Sequence, residues 1–170
     1  MEKILLTGNS LCIHAYNTGL NNDKNIEMVA SSGTSLLRGG KNGSPSIFQQ
    51  ILKNQNKLVI IVDPVSILFT SKSKEEVDEE VVVETFRKLS NALCREGRVA
   101  ILIRGDLNLE NLKARKKANM TLDRIYHEVR SFQNLVLDNE HLTEADCRDE
   151  IHPQAARHNL RFLPKFSSIF

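Results

Sequence analysis

Lys57-Leu58-Val59-Ile60-Ile61-Val62 is the stretch that decides the fold. It is apolar from Leu58 onward, mostly β-branched, and has no polar face. A strand of this kind must be covered on both sides, as a central strand of a parallel sheet is. Outward along the chain the pattern returns. Lys3-Ile4-Leu5-Leu6-Thr7 and Glu27-Met28-Val29-Ala30 precede it; Arg98-Val99-Ala100-Ile101-Leu102-Ile103 and Asn134-Leu135-Val136-Leu137 follow. Longer amphipathic segments fill the gaps. Pro45 to about Lys53 is a predicted helix, with Ser44 as its cap. Glu75 to about Arg95 carries Val82, Phe86, Leu89 and Leu93 at helical spacing, and Glu110 to about Phe132 carries Leu122, Ile125 and Val129. Pro153 can open a last helix, with Leu160 and Leu163 packing back on the sheet. Strand and helix alternate throughout. The expectation is therefore an α/β fold: a three-layer αβα sandwich, flavodoxin-like, around a five-stranded parallel sheet.

With 170 residues, 41% of them hydrophobic and 26% charged, the chain is expected to be one domain with one substantial core. A net charge of +2 gives no reason to expect nucleic acid or an anionic membrane as the main partner. The basic cluster Lys113, Arg115, Lys116 and Lys117 reads as a solvated helix face. Three scattered cysteines, Cys12, Cys94 and Cys147, suit a reducing compartment better than a disulfide framework. Neither a signal-peptide pattern nor a membrane-spanning run is present, so the expected location is cytoplasmic. No metal or cofactor is expected. The histidines form no i, i+4 pair, and neither a dinucleotide fingerprint nor a phosphate loop occurs. Gly39-Gly40-Lys41-Asn42-Gly43 looks like the most flexible internal segment.

Ligands of open α/β sheets bind beyond the carboxyl ends of the strands. Ser10 follows the first predicted strand, Gly33 the second and Asp63 the third; Asp149-Glu150-Ile151-His152-Pro153 follows the fifth. Parallel strands would bring all of these to one rim. A serine at a strand-to-helix turn, a histidine and a nearby carboxylate suggest a Ser–His–Asp triad made of Ser10, His152 and Asp149, and so acyl transfer or ester hydrolysis. Each residue also has a plainer role. Ser10 could be a helix N-cap, His152 a surface histidine, Asp149 one acid among Glu144, Asp146 and Glu150, and Gly33 a turn residue. His14, one turn into the following helix, would point away from the Ser10 hydroxyl.

Leu5-Leu6-Thr7-Gly8-Asn9-Ser10-Leu11 resembles the first sequence block of the SGNH hydrolases, also called GDSL-type esterases and lipases. Ala30-Ser31-Ser32-Gly33-Thr34-Ser35 resembles the second block, and Asp149-Glu150-Ile151-His152-Pro153 the fifth. The resemblance implies Ser10 as nucleophile, His152 as general base and Asp149 as its orienting acid. It implies backbone N–H groups of Ser10 and Gly33 as oxyanion donors, with Asn9, where the family usually has Asp, ordering the nucleophile turn. One block departs. The family's Gly-x-Asn-Asp is here Asp63-Pro64-Val65-Ser66, with Val65 in the register of the oxyanion-binding Asn. Ser66 or a loop side chain would have to replace that donor, and Asp63 would oppose a developing oxyanion. The expected activity is hydrolysis or transfer of a small acyl group, such as acetyl, on a carbohydrate or other small ester. The alternative is a catalytically weak or inactive domain that binds a ligand or partner. A third reading is a flavodoxin-like binder of phosphate or nucleotide at the Thr7–Ser10 turn.

Overall fold

Ile4–Gly8 (β1), Ile26–Ala30 (β2), Leu58–Val62 (β3), Val99–Ile103 (β4) and Leu135–Asp138 (β5) are the strands of a single sheet. A computed structural model of the chain, which describes residues 3–17, 21, 23–40, 43–69, 77–105 and 112–138, pairs them all in parallel in the order β2-β1-β3-β4-β5. This is the flavodoxin-like strand order. Among the described residues four α-helices accompany the sheet: Ser10–Asn17 (α1), Ile47–Lys53 (α2), Glu79–Glu96 (α3) and Leu112–Val129 (α4). The helix expected after Pro153, with Leu160 and Leu163, lies outside the described residues.

The alternation of side chains along a strand explains the layers. Val59 and Ile61 of β3 join one apolar cluster, while Ile60 and Val62 join another on the opposite face. All four are fully buried. The first cluster holds Ile47 and Ile51 of α2, Val82, Phe86, Leu89 and Leu93 of α3, and Leu122, Ile125 and Val129 of α4. The second is closed by Leu11 and Cys12 of α1. Each large apolar side chain so buried contributes about 1.5–3 kcal/mol, so the periodic positions of α3 and α4 fix those helices on the sheet.

Helix ends follow local chemistry. Asp78 caps α3 by accepting from the Glu80 N–H at 2.9 Å, so the helix begins later than the predicted Glu75. It ends at Gly97, whose N–H reaches the Cys94 carbonyl while the Arg98 N–H reaches that of Leu93, a Schellman closure. The cap of α2 is Ser46 rather than the expected Ser44. Ser46 Oγ accepts from the Gln49 N–H and Gln49 Oε1 accepts from the Ser46 N–H, both at 3.2 Å. Ser44 instead accepts from the Gly40 N–H at 3.0 Å. That bond ties down part of the glycine-rich segment expected to be flexible. A side chain at Gly40 would crowd the Ser32 carbonyl and the Thr34 hydroxyl.

The registers place the carboxyl ends of the strands level. Ala30 pairs with Gly8, Gly8 with Val62, Val62 with Ile103, and Ile103 with Asp138. The turns after β1, β2, β3 and β4 therefore leave the sheet along one rim.

Candidate active site

At the end of β1 the chain turns hard against β3. A side chain at Gly8 would collide with the Val62 carbonyl oxygen and lie 2.9 Å from Cys12 Cβ. Only glycine allows so close an approach. Asn9 follows, fully buried. Its Oδ1 accepts from the Leu11 N–H at 2.9 Å, and its carbonyl accepts from the Cys12 N–H at 3.0 Å. Asn9 is thus the residue that caps α1. Ser10 is the first residue of the helix and is half-buried at the rim. The plain role of N-cap therefore belongs to Asn9, not to Ser10. Developing negative charge at Ser10 would meet the positive end of the α1 dipole.

The turn after β2 lies beside it, with the Ser31 N–H donating to the Gly8 carbonyl at 3.3 Å. The Thr34 N–H donates to the Ser31 carbonyl at 3.2 Å. Gly33 sits at the third position of that turn with φ +81°, as a type II turn requires. A Cβ there would meet nothing within 4 Å. Glycine is therefore demanded here by backbone conformation. Its N–H has no partner among the described residues.

The turn after β3 departs from expectation. Val65 is fully buried in the main apolar cluster, so this position points into the core and not toward the rim. Ser66, the expected substitute donor, is also fully buried. Its N–H donates to Asp63 Oδ1 at 3.2 Å and its hydroxyl donates to Asp63 Oδ2. Both groups are committed to the interior. Asp63 is not a charge displayed at the rim either; it is 1% exposed and adopts φ +50°. Asn9 Nδ2 donates to its carbonyl at 3.1 Å and to its Oδ2 at 3.2 Å. The residue after Arg104 is shaped by it as well: a Cβ at Gly105 would lie 2.5 Å from Asp63 Oδ1 and 2.7 Å from Oδ2. The sequence signal for this internal acceptor was the coincidence of two departures, Asn at 9 and Asp at 63.

His14 is exposed on α1. His152 and Asp149, the predicted base and its partner, lie outside the described residues. Among the described residues, the bond from the Ser31 N–H to the Gly8 carbonyl sets the turn that carries Gly33 beside the turn that carries Asn9 and Ser10. Among the described residues no group of three or more His, Cys, Asp or Glu is placed to hold a metal ion, and no helix is long and apolar enough to cross a membrane. Lys113, Lys116 and Lys117 are exposed and Arg115 half-buried on α4. Burial pushes the Cys12 thiol far above its ordinary pKa, which removes it as a nucleophile.

A cavity of about 80 Å³ opens between the β1 and β2 ends and α2, lined by Thr7, Gly8, Ser31, Thr34 and Pro45 among others. The buried Thr34 hydroxyl beside it has no hydrogen-bond partner. Larger clefts of about 340 and 330 Å³ lie elsewhere, between α3 and α4 and around Arg98. Neither touches the Ser10 turn.

No protein-family profile matches the chain, and no curated protein does. Solved structures do. A candidate SGNH hydrolase from Slackia heliotrinireducens superposes with a TM-score of 0.69 at 16% identity, covering 99% of both chains. A GDSL-like lipase from Bacteroides thetaiotaomicron gives 0.66 at 14% identity, covering 99% of this chain and 88% of that one. An acetyl xylan esterase from Geobacillus stearothermophilus gives 0.64 at 13%, covering 96% and 93%. The five-stranded parallel sheet and its helices have the fold of the SGNH hydrolases.

Proposed function

We infer that the chain is a serine esterase of the SGNH type, removing or moving a small acyl group on a carbohydrate or other small ester. The observation that carries this reading is the division of labour between Asn9 and Ser10. Because Asn9 caps α1, Ser10 opens the helix at the rim, next to the turn whose Gly33 N–H has no partner among the described residues. Ser10 Oγ attacks the ester carbonyl while His152 takes its proton, and Asp149 holds the imidazole in the required tautomer. The carbonyl oxygen becomes an oxyanion held by the Ser10 and Gly33 N–H groups. Collapse expels the alcohol, protonated by His152, and leaves an acyl-Ser10. Water, activated by the same histidine, releases the acid; a sugar hydroxyl in its place makes the reaction a transfer.

An acetyl xylan esterase with the same fold supports a small acyl group such as acetyl. A fluorophosphonate probe should label the protein, and labelling should vanish in Ser10→Ala. Turnover of p-nitrophenyl acetate should be lost in both Ser10→Ala and His152→Ala.

The burial of Val65 and Ser66 favours a second reading. Losing one oxyanion donor lowers rates by about 10²–10³, so the domain could serve as a binding module with little turnover. Absence of labelling in folded protein would decide for it.

A further inference from the structure

We propose that Asp63 is a positioning residue: a buried carboxylate that holds the nucleophile turn in place through Asn9. This rests on the esterase reading of Ser10. Asn9 uses the two ends of its amide for two tasks. Oδ1 caps α1 at the Leu11 N–H, 2.9 Å away. Nδ2 donates to the Asp63 carbonyl at 3.1 Å and to Asp63 Oδ2 at 3.2 Å. The first bond sets where α1 begins, and hence where Ser10 stands. The second ties that start to β3.

The tether as built pairs an amide at 9 with the carbonyl and the side-chain acid of residue 63. An aspartate at 9 could still cap the helix with one oxygen. Its other oxygen would then face two acceptors of Asp63, one of them charged, in a site without solvent. Like charges so close cannot both ionise without a large penalty. The asparagine at 9 and the aspartate at 63 are therefore a matched pair, not two separate losses from the family pattern. The rest of the site is built around the same carboxylate. Ser66 donates to it twice. Gly105 lies where any side chain would strike it. Asp63 holds a left-handed φ of +50°, which aspartate tolerates better than most residues. Turns after three different strands, β1, β3 and β4, thus converge on one buried group.

The experiment is a double-mutant cycle read in kcat, KM and fluorophosphonate labelling rate, with urea unfolding midpoints for each variant. Asp63→Asn alone puts an amide nitrogen against either the Asn9 amide nitrogen or the Ser66 N–H, according to how the amide turns. Asn9→Asp alone places oxygen against oxygen. Asn9→Asp with Asp63→Asn reverses the side-chain bond and removes the facing carboxylates, but it leaves an oxygen of residue 9 against the residue-63 carbonyl, so it restores the tether in part. Each single change should lower kcat about 10²-fold, the scale of a misplacement near 1 Å, with KM little changed. The double variant should recover at least about tenfold over either single, the non-additivity expected of contacting residues. Asn9→Ser keeps a capping oxygen and loses the tether, and it covers the case in which a single variant does not fold. It should still fold, with a lowered midpoint, and label slowly. The proposal is overturned if Asp63→Asn keeps wild-type kcat, if Asn9→Ser labels at the wild-type rate, or if the double variant is no better than the singles. Wild-type protein that never labels defeats the esterase reading itself and takes this proposal with it.

Discussion

Restoring the missing asparagine at residue 65 would seem the direct way to strengthen an oxyanion hole. The structure predicts the opposite. Val65 is fully buried in the core, so an amide there would be buried without partners. Losing the valine's burial and stranding a polar group together cost about 3–5 kcal/mol. Val65→Asn should therefore shift the urea midpoint sharply downward and give no gain in esterase rate; a faster enzyme would show that the turn after β3 can swing outward. Cys12 makes a second residue-scale case. Burial raises its folded-state pKa far above the ordinary 9.0. An acid whose folded pKa is raised favours folding fully below its unfolded pKa and loses that contribution as pH rises past it. Stability should fall above about pH 9 by up to about 1.4 kcal/mol per pH unit from this thiol. Cys12→Ala should lack that share of the alkaline decline in unfolding midpoints measured from pH 8 to 11. The sequence showed Ser10 and Gly33 at strand ends because turn residues announce themselves. It did not show the roles of Asp63 and Ser66, because a polar residue after a strand reads the same whether its side chain faces the rim or the interior.

Elements were legible wherever one period dominated. β3 is apolar at every position and buried at both faces, and α3 presents Val82, Phe86, Leu89 and Leu93 inward as their spacing requires. Ends were harder, because they depend on single hydrogen bonds. Ser44 before Pro45 fits a cap followed by proline, yet Ser46 is the cap because Gln49 stands three residues on and completes a capping box. At this scale the clasp between α3 and α4 is testable. Arg124 grips Glu79 at the start of α3 with bonds of 2.6 and 3.2 Å. The hydrogen bond from Arg124 is the main reason the Glu79 carboxyl lies below its usual pKa, while the Arg124 guanidinium is raised in turn. A lowered carboxyl pKa gives stability that is complete above about 4.5 and is lost as pH falls through the folded value. Both side chains are more than a third exposed, so the contribution is small and salt-sensitive. Glu79→Gln should flatten the acid limb of stability below pH 4.5 at low salt, and 1 M salt should erase most of the difference from wild type. An acid limb that is unchanged by the substitution would mean the clasp contributes nothing.

At the scale of the whole molecule, buried polar groups among the described residues gather at the two ends of the sheet. The carboxyl end gathers Asn9, Asp63 and Ser66 under the Ser10 turn. The opposite end gathers around Arg98, which is 1% exposed. Its Nε donates to the Asn56 carbonyl at 2.7 Å, one terminal nitrogen donates to the Ile51 carbonyl at 3.1 Å, and the other pairs with Glu96 at 2.8 Å. One planar cation thus joins the end of α2, the start of β3 and the end of α3. Glu96 is 45% exposed and can return to water, so losing Arg98 strands no buried carboxylate. The Ile51 carbonyl keeps the Asn54 N–H at 3.3 Å, so the penalty comes from the Asn56 carbonyl, at about 1–3 kcal/mol. Arg98→Met should therefore cost about 1–3 kcal/mol. Arg98→Lys should recover only part of that, since an ammonium lacks the fixed fork that reaches three directions. A five-residue strand separates this end from the rim by roughly 13 Å at about 3.3 Å per step. Protein that remains folded should thus react with a fluorophosphonate at the wild-type rate, while its unfolding midpoint drops. A variant with an intact midpoint and slowed labelling would refute that separation, and would mean that the packing of the sheet's base is felt at Ser10.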